Sequence, residues 1–406
     1  MRNLQKLTPL FFLFLRFFVL SFCLSFFPYL LYGQKITAKK VEKVEKIGKV
    51  EKVNISNSEE SNLVLPFRLC WTLKDKTNTP HTVASDNELN IFSTFLGGEI
   101  YSIKYKSGEV NWKSYLGGEF ISKPLITNEH LYVATNASLT DQSNTETEAV
   151  NQTTSIRALS KTTGLTIWQT KLSLGEEIYL YGYKTILVAV NRRGEIYFLD
   201  RISGRIIWSK SIGSELSSRP YLETDKIVFG TMNKKILVFS IETGEIADQR
   251  YVDSTPTSII SLEKDETIIW GSHSGMLRSQ KNDTKFPKNN WKFRYGAEIS
   301  HITVTGNNLL VSSFDNFVYL ISKQDGKLLW KKRFLSRIVS EPLIIGNYAV
   351  ITSNAEREAF VIDLTSSKTI NRITLDEGNF FIERAVNIQD MLIFTTLKGV
   401  FAYTSN

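Results

Sequence analysis

A tight turn followed by a tryptophan recurs along this chain: KSGEVNW at 106–112, TTGLTIW at 162–168, ISGRIIW at 202–208 and QDGKLLW at 324–330. The turn glycines Gly108, Gly164, Gly204, Gly244 and Gly326 are spaced by 56, 40, 40 and 82 residues. The last interval holds two units, one of which lacks the glycine and ends at Trp291. The first holds one unit plus a polar insert, LTDQSNTETEAVNQTT, at 139–154. Trp71 stands one period before Trp112, and Ser367 one period after Gly326. A fixed period near 41 residues restricts the chain to stacked or radially repeated units.

Each unit repeats the same internal order. In the third, ILVAV (186–190), NRRGE, IYFLD (196–200), RISG and RIIWSK follow one another, and the fourth and sixth units match it. Alternating β-rich runs bounded by Gly, Asn and Asp are short antiparallel strands, and no stretch demands an amphipathic helix. Four strands in about 41 residues is the blade of a β-propeller. The expected third strands are IYSIKY (100–105), SIRALS (155–160), IYFLD (196–200), ILVFS (236–240), GMLRSQ (275–280), FVYLIS (317–322), AFVID (359–363) and VFAYT (400–404). These predict an all-β, eight-bladed β-propeller over residues 63–406, with about 43 residues per blade. The eighth unit stops at Asn406 without an outer strand, while LCWTLK (69–74) carries a Trp strand with no blade before it. Pairing these two segments closes the ring and leaves no open edge for aggregation.

The ends of the chain are built differently from the body. Residues 1–33 hold Arg2, Lys6 and Arg16 and no acid, then an apolar run at 17–27 broken by Pro28. This charged, apolar, small-residue order predicts a secretory signal cleaved near Gly33. An uncleaved N-terminal anchor, or a lipid attached at Cys23, are the alternatives. Residues 34–62 contain seven Lys and five Glu, with Val-Glu-Lys at 41–43, 44–46 and 50–52, and are expected to form a flexible tether. These segments hold five of the eight net positive charges. The body carries the remaining three and no basic cluster, so the basic balance gives no nucleic-acid face. All readings of the leader put the body outside the cytoplasm, with a periplasm expected and outer-membrane association as an option.

The repeated residues have structural work to do. The glycines supply a positive φ between third and fourth strands, and the preceding Ser or Thr closes the turn by bonding backbone. Trp71, Trp112, Trp168, Trp208, Trp291 and Trp330 are expected to pack between blades, each N–H finding a carbonyl. DRISGRIIW (200–208) resembles the Asp-x-x-Thr-Gly-x-x-x-Trp signature of pyrroloquinoline-quinone (PQQ)-type propeller repeats, and SKTTGLTIW and SKQDGKLLW keep the turn. With a secretion signal, a short tether and one eight-bladed ring, the chain resembles the BamB family of outer-membrane β-barrel assembly subunits.

That resemblance implies a non-catalytic scaffold, expected as a monomer, whose partner is a protein, an outer-membrane barrel assembly subunit. Ser-x-Pro precedes the first strand of several blades, at 122–124, 218–220, 254–256 and 340–342, as a turn fixing where the inner strand starts. In the family these loops help contact the barrel subunit. Val252-Asp253-Ser254-Thr255-Pro256 is similar to the family's Val-Asp-Thr-Thr-Pro loop, which makes Asp253 a contact residue. The family's second acid is Tyr251 here, and Leu216 and Arg219 stand for a Leu/Arg-rich loop one blade earlier. These four are the expected partner-binding residues, with the 139–154 insert as the rival docking element.

The alternative is a PQQ-dependent dehydrogenase, or a sensing propeller of other ligands. Such dehydrogenases carry adjacent paired cysteines under the cofactor, whereas this chain has only Cys23 and Cys70. No disulfide framework or CxxC exists, and His81, His130, His273 and His301 lack metal-ligand spacing. No GxSxG, HExxH or nucleotide loop is present. No enzyme activity, cofactor, PQQ, calcium or other metal is expected.

Overall fold

In a computed structural model of the chain, the described residues are 66–75, 78–136, 153–173, 175–262, 267–281, 289–353 and 356–404. The expected leader and tether, Cys23 and nearly all of the 139–154 insert lie outside them. Within them every element is a β-strand, and the strands form eight four-stranded antiparallel sheets. Blades 1 to 7 each take four consecutive strands, spanning 80–115, 125–172, 178–211, 221–251, 256–294, 299–333 and 343–374. Blade 8 takes Val386–Ile388, Met391–Thr396 and Gly399–Thr404, and its fourth strand is Arg68–Leu73 from the other end of the chain.

The predicted closure is therefore present. Arg68 pairs with Thr404, Leu69 with Tyr403, and Trp71 with Ala402. It also has its own core: Val83, Ile91, Phe95, Tyr101 and Ile103 of blade 1 pack with Ile388, Met391, Ile393, Val400 and Ala402 of blade 8. Second and third strands carry most of the buried side chains; Thr267–Ser272 and Met391–Thr396 are buried at every position. Fourth strands alternate between exposed and half-buried, as outer strands do.

The glycine and tryptophan of neighbouring repeats form one device. Gly108 lies against the Trp71 ring, Gly164 against Trp112, Gly204 against Trp168, Gly244 against Trp208 and Gly326 against Trp291. Each Trp thus covers the turn of the next blade, around the closure as well. A Cβ on Gly108 would stand 2.7 Å from Trp71, and φ there is 73°, so two independent constraints demand glycine. The expected carbonyl bonds are made: Trp71 Nε1 donates to Tyr105 O (2.7 Å), Trp112 to Lys161 O (3.0 Å), Trp168 to Arg201 O (3.2 Å), Trp291 to Lys323 O (3.0 Å) and Trp330 to Leu364 O (2.6 Å). Trp208 instead stacks on Phe198, with ring centroids 3.6 Å apart.

The blades without Trp fit the same rule. Blade 7 has Asn371 in the Trp register, opposite Val361, and the next blade has no such turn because the chain ends meet there. Blade 4 has Asp248 in that register, opposite Val238, and blade 5 is the unit lacking the glycine. All eight pairings of third and fourth strands carry a register shift, beside the turn in blades 1 to 7 and between Leu69 and Trp71 at the closure. That bulge turns the outer strand so its Trp reaches the neighbour.

Candidate functional site

First strands line the centre of the ring, because their residues and the loops before them surround its cavities. Loops from an outer strand to the next inner strand therefore lie on one face, together with the turns between second and third strands. Three of these loops share a detailed plan: Phe120-x-Ser122-Lys123-Pro124, Leu216-x-Ser218-Arg219-Pro220 and Ile338-x-Ser340-Glu341-Pro342. The first residue is a buried anchor, with Phe120, Leu216 and Ile338 between 1% and 4% exposed. Ser122 Oγ accepts the Ala134 N–H and Ser218 Oγ the Gly230 N–H, each at 2.8 Å. Ser-x-Pro thus pins the loop to the second strand of its own blade, which is the structural role expected of it. The residue between Ser and Pro is left facing the channel.

Those residues meet across the ring. Arg384 of blade 8 reaches Glu341 of blade 7 at 2.9 Å, and Arg219 of blade 4 approaches the same carboxylate at 3.8 Å. Lys123 of blade 2 pairs with Glu383 of blade 8 at 3.0 Å, and Thr82 Oγ1 of blade 1 donates to Glu383 at 2.8 Å. A cavity of about 760 Å³ opens beside this belt, and a second lobe of about 580 Å³ adjoins it. Tyr181, Arg219, His301, Glu341 and Arg384 line both, so they form the partition between the lobes.

The belt is recessed, and its titratable neighbours respond to that. Burial pushes the His301 imidazole down to about 4, against the pull of Glu341, and pushes His81 down in the same direction. Both are neutral at pH 7. Burial raises the Tyr181 hydroxyl to about 12, and that hydroxyl donates to Pro220 O at 2.6 Å. Among the described residues no three His, Cys, Asp or Glu side chains converge as a metal site.

The four expected partner-binding residues divide into three places. Leu216 is not an exposed contact: it forms a β-bridge with Thr231 and is 3% exposed inside the blade 3–4 core. Arg219 turns inward to the channel. Tyr251 and Asp253 stay on the rim of the same face, with Tyr251 74% exposed. Asp253 pairs with Arg278 of blade 5, and Lys235 lies over the Tyr251 ring at 5.0 Å.

The two loops that hold these residues are joined by the turn 232–234 of blade 4. Met232 N–H donates to Glu215 O (2.9 Å) and Val252 N–H to Lys234 O (3.0 Å). The corner so formed presents Glu215, Met232, Tyr251 and Asp253 to solvent. Met232 was missed by sequence reasoning; its signal is an apolar residue opening the polar turn Met232-Asn233-Lys234. Lys123, Glu341, Glu383 and Arg384 were also missed, although Lys123 and Glu341 occupy the middle of the Ser-x-Pro triplets.

The sequence profile of the family described as outer membrane protein assembly factor BamB matches residues 68–155, 152–279 and 257–369. A curated relative, the outer membrane protein assembly factor BamB of Shewanella oneidensis, is 20% identical over 326 residues, spanning 76% of this chain and 67% of that one. The fold superimposes on the crystal structure of BamB from Moraxella catarrhalis with a TM-score of 0.63 at 16% identity, over 84% of this chain and 97% of that one. It also resembles the computationally designed protein Ika8, with a TM-score of 0.65, 14% identity, and 83% and 99% coverage. The C-terminal WD40 domain of Sif2 gives 0.65, 11% identity, and 84% and 98% coverage. At these identities the solved structures speak for the fold alone.

Proposed function

The chain belongs to the family of outer membrane protein assembly factor BamB, and from that premise we propose that it is a non-catalytic, extracytoplasmic docking scaffold supporting outer-membrane β-barrel assembly. Its docking site is the rim corner built by Glu215, Met232, Tyr251 and Asp253. The observation that carries this is the corner itself. Two loops from adjacent blades are fixed to one turn by backbone bonds, and they present a methionine, a tyrosine and two acids on a rigid frame. Aromatic and Met side chains ringed by charge are the usual anchors of a protein interface. Rigid loops on a rigid ring also keep the ordering cost of binding low.

The experiment is capture from detergent-solubilised outer membrane, with the bound barrel-assembly subunit identified by mass spectrometry. The triple variant Met232→Asp, Tyr251→Ala, Asp253→Ala is expected to melt like wild type and to lose capture at least tenfold, since losing central contacts costs about 2–5 kcal/mol. A parallel deletion of 139–154 is expected to bind normally. Loss of capture in that deletion together with normal binding by the triple variant would move the site to the insert. Addition of PQQ, calcium and an alcohol to the purified protein is expected to reduce no dye, and reduction would restore the dehydrogenase reading.

A further inference from the structure

We propose that Arg219 is the receptor for a ligand carboxylate at the channel mouth, with Glu341 as its built-in competitor and Arg384 as the residue that keeps that competitor away. This goes beyond the assembly role and does not rest on it.

Arg219 bonds the Tyr181 hydroxyl, but no carboxylate among the described residues stands within hydrogen-bond length of it. A guanidinium offers five donors in a planar fork that matches the two oxygens of a carboxylate. Among the described residues its ion-pair partner is Glu341 at 3.8 Å, beyond hydrogen-bond length. Arg384 holds the same carboxylate at 2.9 Å and so wins it. Two guanidiniums thus share one carboxylate, and the Arg219 side chain remains 53% exposed toward the cavity. The other cation of the belt is already matched, Lys123 by Glu383 at 3.0 Å. His301, beside the cluster, is neutral and supplies no compensating charge of either sign. Glu177 on the same wall accepts the Tyr179 hydroxyl at 3.1 Å.

The surroundings suit a bound oxyanion. The Arg219 guanidinium lies over the Tyr179 ring at 6.0 Å, and Tyr181 and Tyr221 line the adjoining lobe. A cation held near an aromatic face at the wall of a recessed cavity meets less competition from water for an incoming anion. Glu341 itself displays the chemistry that the cluster accepts, because its carboxylate stands where a ligand carboxylate would approach Arg219. Cavities of about 760 and 580 Å³ admit either the last few residues of a peptide or a small organic acid. Both sources offer the same group to Arg219.

Calorimetry on the full-length protein separates them, with glycyl-glycyl-tyrosine, its C-terminal amide and succinate as probes. Binding of the peptide acid with at least tenfold weaker binding of the amide is expected for a peptide end. Binding of succinate alone assigns the site to small acids and equally supports a carboxylate receptor. In either case Arg219→Gln is expected to lose binding at least tenfold. Glu341→Gln, which removes the competitor, is expected to bind at least threefold tighter, an effect that general damage to the channel would not give. Arg384→Gln, which releases Glu341 toward Arg219, is expected to weaken binding. Melting curves check that each variant folds, and if Arg219→Gln does not, Arg219→Lys and Glu341→Gln decide. Equal binding of acid and amide, no binding of either acid, or weaker binding by Glu341→Gln overturns the proposal.

Discussion

The outer seams and the channel mouth are made from the same repeated unit, yet they follow opposite rules. At the seams one pair of residues recurs with little change. A Trp covers the turn glycine of the next blade at Gly108, Gly164, Gly204, Gly244 and Gly326. At the channel mouth the frame recurs, with its buried anchor, serine and proline, while the residue between serine and proline changes from Lys123 to Arg219 to Glu341. Packing must satisfy these five seams alike, so the sequence repeats there. The ion pairs of the channel residues run to other blades, Lys123 to Glu383, Arg219 to Glu341 and Glu341 to Arg384, so their charges answer to one another across the ring and not to a repeated seam. Stability is expected to reside in the first set and ligand or partner chemistry in the second.

The largest test of that division is the closure strand. Deleting residues 63–75 removes Trp71 and the whole pairing with Gly399–Thr404, and uncovers Gly108. Truncating a fully buried Trp costs about 3–5 kcal/mol; Trp71 is half-buried and contributes less, but here a whole strand goes with it. The deletion is expected to abolish the cooperative thermal transition, whereas Arg219→Gln at the channel is expected to shift the melting temperature little. A truncated protein melting with wild type would break the comparison at its stable end.

How far the sequence reached follows the same line. The blade count, the closure and the Trp–Gly seams were legible because packing writes them at a fixed period. Residues 69–74 could be placed in the last blade only because Trp71 fell in register. The channel was illegible because its signal is a direction. Nothing in Ser-Arg-Pro says that Arg219 turns inward, and Glu341 becomes its neighbour only when the ring closes. Leu216 misled for a related reason. It stands in a loop by sequence, but its β-bridge to Thr231 makes it core.

A middle-sized effect tests whether the channel is as recessed as its geometry indicates. His301 is held near 4 by burial, below the value near 6.5 of an exposed imidazole. Between these values the unfolded chain takes up a proton that the native protein refuses. Stability is therefore flat above pH 6.5 and falls as pH drops toward 4, by up to about 3 kcal/mol from this group. His81 is shifted in the same direction and leaves a residual slope. Denaturant midpoints at pH 7 and pH 4.5 should differ less in His301→Asn than in wild type. Equal slopes would mean that His301 is solvated and the channel wall more open than described.

The smallest effect concerns a seam that keeps its Trp but has no glycine in the turn. In blade 7 the residue in the turn-glycine register is Ser367, at a φ of 59°, three residues after the Leu364 carbonyl that Trp330 bonds, and its N–H still bonds Asp363 O at 2.9 Å as the glycines bond their own partners. Lys332 Nζ donates to Ser367 O at 2.9 Å. Both bonds use backbone atoms of Ser367 and survive loss of its side chain. A left-handed conformation costs an L-residue about 1–2 kcal/mol, and glycine's extra unfolded freedom offsets about 0.5–1 kcal/mol of that. Ser367→Gly is therefore expected to stabilise the ring by about 0.5–1 kcal/mol, raising the melting temperature by roughly 1–2 °C. The reverse change one blade earlier must not mirror it. A Cβ at Gly326 would stand 2.5 Å from the Trp291 ring, so Gly326→Ser adds a steric cost to the backbone strain. If Ser367→Gly destabilises the ring, the serine has a packing role against Trp330, and the seams are tuned blade by blade after all.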